Sequence, residues 1–339
     1  KQYNIKSQSV EELLSNPEVE VVLNLTIPQA HYEVTKKTLL SGKHSYCEKP
    51  LSINFEQGKE LTELAKKKKL FLGNAPDTFL GGGGQLSKKL LEEKIIGDIT
   101  LGSFFFAYPG VESFHPNPDS WYKEGGGPII DMGPYFFTML VNLLGPAKNV
   151  LSRGVKVKSH RTIETGPRKN EKITVDVPTS FTFNIEFYSG ALIQGFISFD
   201  ILNHKQNHME LYGTKGSMLV PDPNMFGGPV YISKKLGGDW IEYSTEDMYL
   251  GKTNIVNHSG RSNEADKQSN YRGAGLSEMI YAIENNIEHR CNSELALHVL
   301  EIIESTIKSS EIEKKVNLLT KCKKPESFTE NQIKLIIKE

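Results

Sequence analysis

Cysteine, an excess of one charge, long apolar runs and nucleotide-binding glycine motifs are sparse or missing in this chain, and each lack narrows its function. The 339 residues hold three cysteines, Cys47, Cys291 and Cys322, too few and too scattered for a disulfide framework or a zinc site. A reducing, cytoplasmic setting fits that usage. Lys and Arg number 40 against 41 Asp and Glu, so no surplus of positive charge exists to hold a nucleic acid. The run Lys66 to Lys69 reads as the solvated face of a helix. No apolar stretch reaches the ~18 residues of a membrane span, so no membrane partner is expected. The nearest, Pro134 to Leu144, is short and closes at Gly145-Pro146. The present N-terminus carries no signal peptide pattern, although the chain opens in mid-pattern. The P-loop pattern G-x-x-x-x-G-K-[ST] and the zinc pattern H-E-x-x-H are also lacking. His204 and His208 have H-x-x-x-H spacing, but they lie near strand-forming sequence without a third ligand, so no metal is expected.

What is present alternates in type. The length favours two domains. Ser9-Val10-Glu11-Glu12 is a capping box that starts a short helix ending before Pro17. Val21 to Leu25 is a continuous apolar run, the signature of a strand buried on both faces of a parallel sheet. A helix from about Gln29 to Gly42 follows, then the strand His44 to Cys47, a helix from Phe55 to Lys68, and a strand Leu70 to Leu72. Strand, helix, strand, helix, strand with short connections implies right-handed crossovers and a doubly wound parallel sheet. Nothing before Val21 supplies G-x-G-x-x-G, so the opening strand, the Gly-rich turn and its helix are expected to lie outside this sequence.

After Pro76 the pattern changes. Gly81 to Gly84 precedes an amphipathic helix from Leu86 to about Ile95, and it either brings backbone close to a ligand or serves as a hinge. Alternating runs follow at Ile99–Ala107, Val150–Val157, Thr179–Tyr188, Ala191–Phe199, His208–Tyr212, Ser217–Val220 and Val230–Lys234. Hairpin turns are expected at Tyr188-Ser189-Gly190-Ala191 and at Gly213 to Ser217. The second part is therefore an α+β unit with a large, mainly antiparallel open sheet, closed by helices at about 275–285 and 293–309. The boundary falls between 1–77 and 78–339.

The stretch Glu48-Lys49-Pro50-Leu51 ends a strand, where ligands of open α/β sheets collect. Pro50 keeps Lys49 extended, which aims its side chain. Asp131 and Tyr135 stand four apart, stacked if they share a helix. Asp131 is either a plain N-cap, with Pro134 in the first turn, or a cap that also contacts substrate. Tyr135 is a catalytic group or a packed aromatic beside Phe136 and Phe137. His115, in a Pro-rich loop, is a second candidate for proton acceptor or substrate contact, and Trp121 with Tyr122 offers an apolar wall for a ring or anchors the loop. His204, after a strand, is a third substrate candidate. Cys47 reads as a buried strand residue.

These motifs together resemble the Gfo/Idh/MocA family of NAD(P)-dependent oxidoreductases. The resemblance runs from Val21 to about Ser310. It rests on Thr26-Ile27-Pro28 with His31, Gly42-Lys43-His44 leading to Glu48-Lys49-Pro50-Leu51, Gly125-Gly126-Gly127 with Asp131 and Gly133, and Tyr212-Gly213-Thr214-Lys215-Gly216-Ser217. It implies a partial Rossmann domain followed by a domain whose open sheet forms a homodimer or homotetramer interface. It implies NAD or NADP bordered by Thr26, Ile27, Pro28, His31, Glu48, Lys49 and Asn74. It implies Lys49 beside the reacting carbon, polarising the oxygen of a polyol or sugar. Relatives commonly carry His four residues after the Asp; here Tyr135 stands instead. A tyrosine would need a fall of roughly three pKa units, about 4 kcal/mol, to act as a base near neutrality. The alternatives are a ligand-sensing regulator on the same scaffold, or a chain inactive for want of its phosphate-binding turn.

Overall fold

The structure, a computed structural model, describes residues 6–257 and 266–337. Helix α1 (Val10–Ser15) begins with the expected capping box: Ser9 Oγ accepts from the Glu12 N–H, and the Glu12 carboxylate accepts from the Ser9 N–H at 2.7 Å. Strands β1 (Val21–Asn24), β2 (His44–Cys47) and β3 (Leu72–Asn74) form a parallel sheet in that order, connected by α2 (Pro28–Leu40) and α3 (Phe55–Lys68). Pro28 opens α2, where a missing N–H costs nothing. Asn54 caps α3 by accepting from the Gln57 N–H at 3.0 Å.

Two details of this half differ from the sequence reading. Strand β3 starts two residues late because the Leu70 N–H still bonds the Ala65 carbonyl at 2.9 Å, closing α3. Strand β1 is covered on one face only. Val22 and Asn24 point inward while Leu23 is 43% exposed, since nothing among the described residues covers that side of the pleat.

The glycine run is neither loop nor hinge. Helix α4 spans Gly82–Glu92, so three of the four glycines lie inside its first turn and all four are buried. A Cβ on Gly81 would meet the Phe226 carbonyl at 2.2 Å, and one on Gly84 the Phe79 carbonyl at 2.4 Å. Close packing of backbone on backbone, rather than ligand approach, explains the glycines, and it outweighs their poor helix propensity.

After β4 (Ile99–Ala107) and α5 (Pro128–Leu144) come β5 (Ala147–Val155) and a small hairpin of β6 (His160–Thr162) and β7 (Lys172–Thr174). Then follow β8 (Ser180–Phe187), β9 (Leu192–Ser198), β10 (Met209–Gly213), β11 (Gly216–Val220), β12 (Val230–Ser233) and β13 (Ile241–Tyr243). A second small hairpin pairs β14 (Ile255–Asn257) with β15 (Asp266–Gln268), and α6 (Ala274–Asn285), α7 (Ser293–Ile312), β16 (Val316–Asn317) and α8 (Glu330–Ile337) close the chain. The large sheet has the order β13-β12-β11-β10-β4-β9-β8-β5-β16, and all its neighbours are antiparallel except β4 and β9. Both expected hairpin turns are present.

Helix α5 is apolar all round and accordingly buried, with 15 of its 17 residues inside. It lies on one face of the large sheet, where Phe104 stacks on Phe136 at 4.8 Å and meets Phe137 edge-on at 5.9 Å. Each fully buried Phe contributes roughly 1.5–3 kcal/mol through lost apolar surface. Helix α7 packs on α5 and β5 on one side and on α3 on the other. The opposite face of the sheet is open and carries exposed Leu101, Leu151, Val155 and Leu192.

Candidate active site

The carboxyl ends of β1, β2 and β3 build the corner that holds Lys49. The Glu48 N–H donates to the Asn24 carbonyl at 2.9 Å, and the Glu48 carboxylate accepts from the Lys49 N–H at 2.8 Å. The Asn74 amide donates to the Cys47 and Glu48 carbonyls at 2.9 and 3.0 Å, tying β3 to the same turn. The Lys49–Pro50 and Ala75–Pro76 peptide bonds, which flank this corner, are both cis. From it the Lys49 ammonium reaches α5, donating to Asp131 Oδ1 at 2.9 Å and to the Asp131 carbonyl at 2.6 Å. Burial alone would pull the Lys49 pKa down; Asp131, Tyr135 and Glu48 outweigh it and hold the pKa above the usual lysine value. The side chain is therefore charged at neutral pH.

Helix α5 places Asp131 by starting earlier than the sequence suggests. Gly127, with φ 95°, is the N-cap, a backbone conformation that favours glycine, and its N–H donates to the Trp121 carbonyl at 2.7 Å. Asp131 is therefore a residue of the first turn and not the cap. Pro134 falls at the seventh helical position, not the third, and its missing N–H releases the Ile130 carbonyl from the helix ladder. Asp131 and Tyr135 do share a helical face. The Lys49 ammonium lies 5.3 Å from the centre of the Tyr135 ring.

A second cation joins this cluster that sequence reasoning did not single out. Arg272, just before α6, lies with its guanidinium carbon 5.3 Å from the same ring, and its Nη1 donates to the Tyr135 hydroxyl at 3.4 Å. Its Nη2 donates to the Asn224 carbonyl at 3.1 Å and to Asn224 Oδ1 at 2.8 Å. The sequence separation of 137 between Tyr135 and Arg272 leaves no local pattern to reveal the pair. The only hint is an arginine followed by Gly273-Ala274-Gly275 at a helix start.

The turn after β1 faces the same crevice. Thr26 Oγ1 donates to Asn24 Oδ1 at 2.7 Å, and Ile27 is 67% exposed. His31 is buried in the first turn of α2. Its Nδ1 lies 2.6 Å from the Pro50 carbonyl and its Nε2 lies 3.0 Å from the Thr26 carbonyl, so it braces the two turns together. An exposed apolar residue beside polar Thr26 and the Lys49 corner, all at strand carboxyl ends, fits the nicotinamide and ribose end of a dinucleotide. Among the described residues, no G-x-G-x-x-G turn opens a helix for the pyrophosphate.

The remaining candidates lie apart. His115 Nδ1 accepts from the Asn117 N–H at 3.1 Å and its ring meets Trp121 at 4.8 Å; neither makes a hydrogen bond or ring contact with Lys49, Asp131 or Tyr135. Their loop is pinned by buried Arg161, which pairs with Glu112 at 2.7 Å and with Asp200, while the Tyr122 hydroxyl donates to Glu112. Of the two roles expected for Tyr122, wall or anchor, the buried side chain takes the anchor. His204 rests on Phe105 with ring centres 4.7 Å apart. Phe104 faces α5, so Phe105 and His204 lie on the open face of the sheet, away from Lys49. Cys47 is buried, which pushes its thiol up to about 12.

Two family models match the sequence. One, described as an oxidoreductase family with an NAD-binding Rossmann fold, covers residues 1–75; the other, the GFO/IDH/MocA C-terminal domain, covers 85–219. A trans-1,2-dihydrobenzene-1,2-diol dehydrogenase of Xenopus laevis is 30% identical over 262 residues, 76% of this chain and 71% of that protein. A D-xylose dehydrogenase of Paenarthrobacter nicotinovorans is 25% identical over 197 residues, 57% of this chain and 50% of that one. The solved structure of a levoglucosan dehydrogenase in complex with NADH matches with a TM-score of 0.75 at 20% identity, covering 92% of this chain and 83% of that chain. At that identity the likeness bears on the fold alone.

Proposed function

Because the chain belongs to the Gfo/Idh/MocA family of NAD-binding oxidoreductases, we propose that it interconverts a secondary alcohol and a ketone on a sugar, a cyclic diol or a related polyol. The observation that carries this reading is the Lys49–Asp131–Tyr135 cluster at the carboxyl ends of the parallel strands. Residues 1–77 take the dinucleotide and 78–339 most of the substrate. Thr26, Ile27 and Pro28 border the cofactor, while His31, Glu48 and Asn74 hold the corner in shape.

When bound, NAD or NADP supplies the hydride acceptor or donor. Lys49 donates a hydrogen bond to the reacting oxygen, steadying the charge that grows on it. Tyr135 exchanges the hydroxyl proton, taking it up as the alcohol is oxidised and returning it as the carbonyl is reduced. Asp131 keeps the ammonium charged and aimed. Tyr135 is favoured over His115 because it shares the cluster with Lys49, whereas His115 is engaged with Asn117 and Trp121. The open sheet face, with Leu101, Leu151, Val155 and Leu192 exposed, fits a homodimer or homotetramer contact.

A panel of polyols and sugars assayed with both dinucleotides tests the substrate class. Tyr135→Phe, compared with wild type on the best substrate, tests the proton role. A loss of 10²-fold or more in kcat with dinucleotide affinity retained is expected. Full turnover by Tyr135→Phe would remove Tyr135 from the reaction.

A further inference from the structure

We propose that Arg272 is a positioning residue for Tyr135, its guanidinium fixing the hydroxyl where Lys49 and the substrate meet it. This rests on the assignment of proton transfer to Tyr135. Two of its contacts make a frame: Asn224 takes Nη2 through both its carbonyl and its side chain, at 3.1 and 2.8 Å, and Tyr135 takes Nη1 at 3.4 Å. A planar guanidinium presents separate nitrogens to Asn224 and Tyr135 in one fixed geometry while its carbon lies near the ring, a preorganisation that a flexible lysine ammonium lacks. Asn224 is itself held, its N–H donating to Asp222 Oδ1 at 2.9 Å.

The backbone behind Arg272 is held as firmly. Asp77 Oδ2 accepts from the Gly273 and Gly275 N–H groups, at 3.0 Å each. A Cβ on Gly275 would come within 2.2 Å of the Tyr46 hydroxyl, so no other residue fits there without displacement. Asp77 follows β3 and Tyr46 lies in β2. The strand ends that present Lys49 therefore also fix Arg272, and Tyr135 is held from two directions by groups of common origin. As a proton leaves the Tyr135 oxygen, the charge that develops there is met by Arg272 Nη1, with the Lys49 ammonium 5.3 Å from the ring centre.

The test is a double-mutant cycle in the full-length enzyme, with Arg272→Ala, Tyr135→Phe and the double variant, and with dinucleotide binding and melting temperature measured alongside. Arg272→Ala is expected to lower kcat about tenfold with dinucleotide affinity and melting temperature unchanged. Added guanidinium ion should restore part of the loss, and Arg272→Lys should fall between wild type and Ala. In the Tyr135→Phe background, Arg272→Ala should cost less than twofold. Additive losses would overturn the proposal while leaving the role of Tyr135 intact. Full turnover by Tyr135→Phe would remove both. An Arg272→Ala protein with wild-type kcat, or one whose loss guanidinium does not touch, would also overturn it. Should Arg272→Ala melt early, Asn224→Ala, which removes the 2.8 Å side-chain anchor of Nη2 and leaves the guanidinium and its backbone carbonyl bond in place, replaces it and is expected to lower kcat in the same non-additive way. Wild-type kcat in Asn224→Ala would then refute the proposal.

Discussion

Lys49→Met is the perturbation that bears most directly on the site. At 2.9 Å and an effective dielectric of about 20, the attraction between Lys49 and Asp131 is about 6 kcal/mol before desolvation is subtracted. Both side chains keep some contact with water, at 17% and 21% exposure, so removing one partner should cost less than the ~3–5 kcal/mol seen for fully buried pairs. A net loss of about 1–3 kcal/mol in stability is expected, read by urea unfolding. The kinetic loss should be larger in its effect. Removing a preplaced donor to a developing oxyanion typically costs about 10²–10³ in kcat. The pKa of Lys49 is raised above 10.5, so its charge, and the stability it brings, is fully present at neutral pH and lost only as pH rises beyond that value. The activity of wild type should therefore have no lysine-dependent limb between pH 6 and 9. Steady-state kinetics of both proteins across that range checks both points. A Lys49→Met enzyme within tenfold of wild type, with dinucleotide binding intact, would refute the role given to Lys49.

Three further outcomes follow from the packing. His298 accepts from the Ala147 N–H at 2.9 Å and sits 2.8 Å from Thr320 Oγ1, and burial pulls its pKa down to about 4. Between pH 6.5 and 4 the unfolded chain binds the proton and the folded one does not. Stability should thus fall by about 2.5 kcal/mol from pH 7 to 4.5 on this account, and urea unfolding of His298→Gln should lose that much of the slope. Lys88 is buried under α5, bonded to Asn142 at 3.3 Å and to the Pro325 carbonyl, and burial pulls it down to about 8. Here stability rises with pH between 8 and 10.5, so wild type should gain about 2 kcal/mol on Lys88→Met between pH 7 and 9.5; a constant gap would contradict it. Gly84→Ala should destabilise by about 1–3 kcal/mol in chemical unfolding, since its methyl would meet the Phe79 carbonyl at 2.4 Å. A gain in stability, as helix propensity alone predicts, would show that the backbone yields.

What the sequence disclosed and what it concealed divide by the range of the interaction. Strand and helix placement in residues 21–68 depends on local periodicity, caps and turn residues, and it was legible to within a residue or two. The Asp131–Tyr135 pair was legible for the same reason, since an i, i+4 spacing is local. The glycine run was misread because propensity is local while the contacts that demand glycine at Gly81, Gly82 and Gly83 come from Phe226, Gly251 and Pro221, over 130 residues away. The burial of His31 was hidden likewise, because its partners are the carbonyls of Thr26 and of Pro50 in the next turn. The site divides along the same line. Lys49 announces itself through a rigid Glu-Lys-Pro corner. Arg272 does not, because its meaning lies in Tyr135, Asn224 and Asp77, each from a different part of the chain. A residue that acts by holding another needs no motif of its own. It needs an anchor on either side, and here the anchors are Asn224 on one side and, on the other, backbone N–H groups held by Asp77, with Gly275 kept small. The cycle pairing Arg272 with Tyr135 therefore tests more than one contact, because non-additivity there would mean that Tyr135 is placed by the fold's long-range contacts and not by the helix that carries it alone.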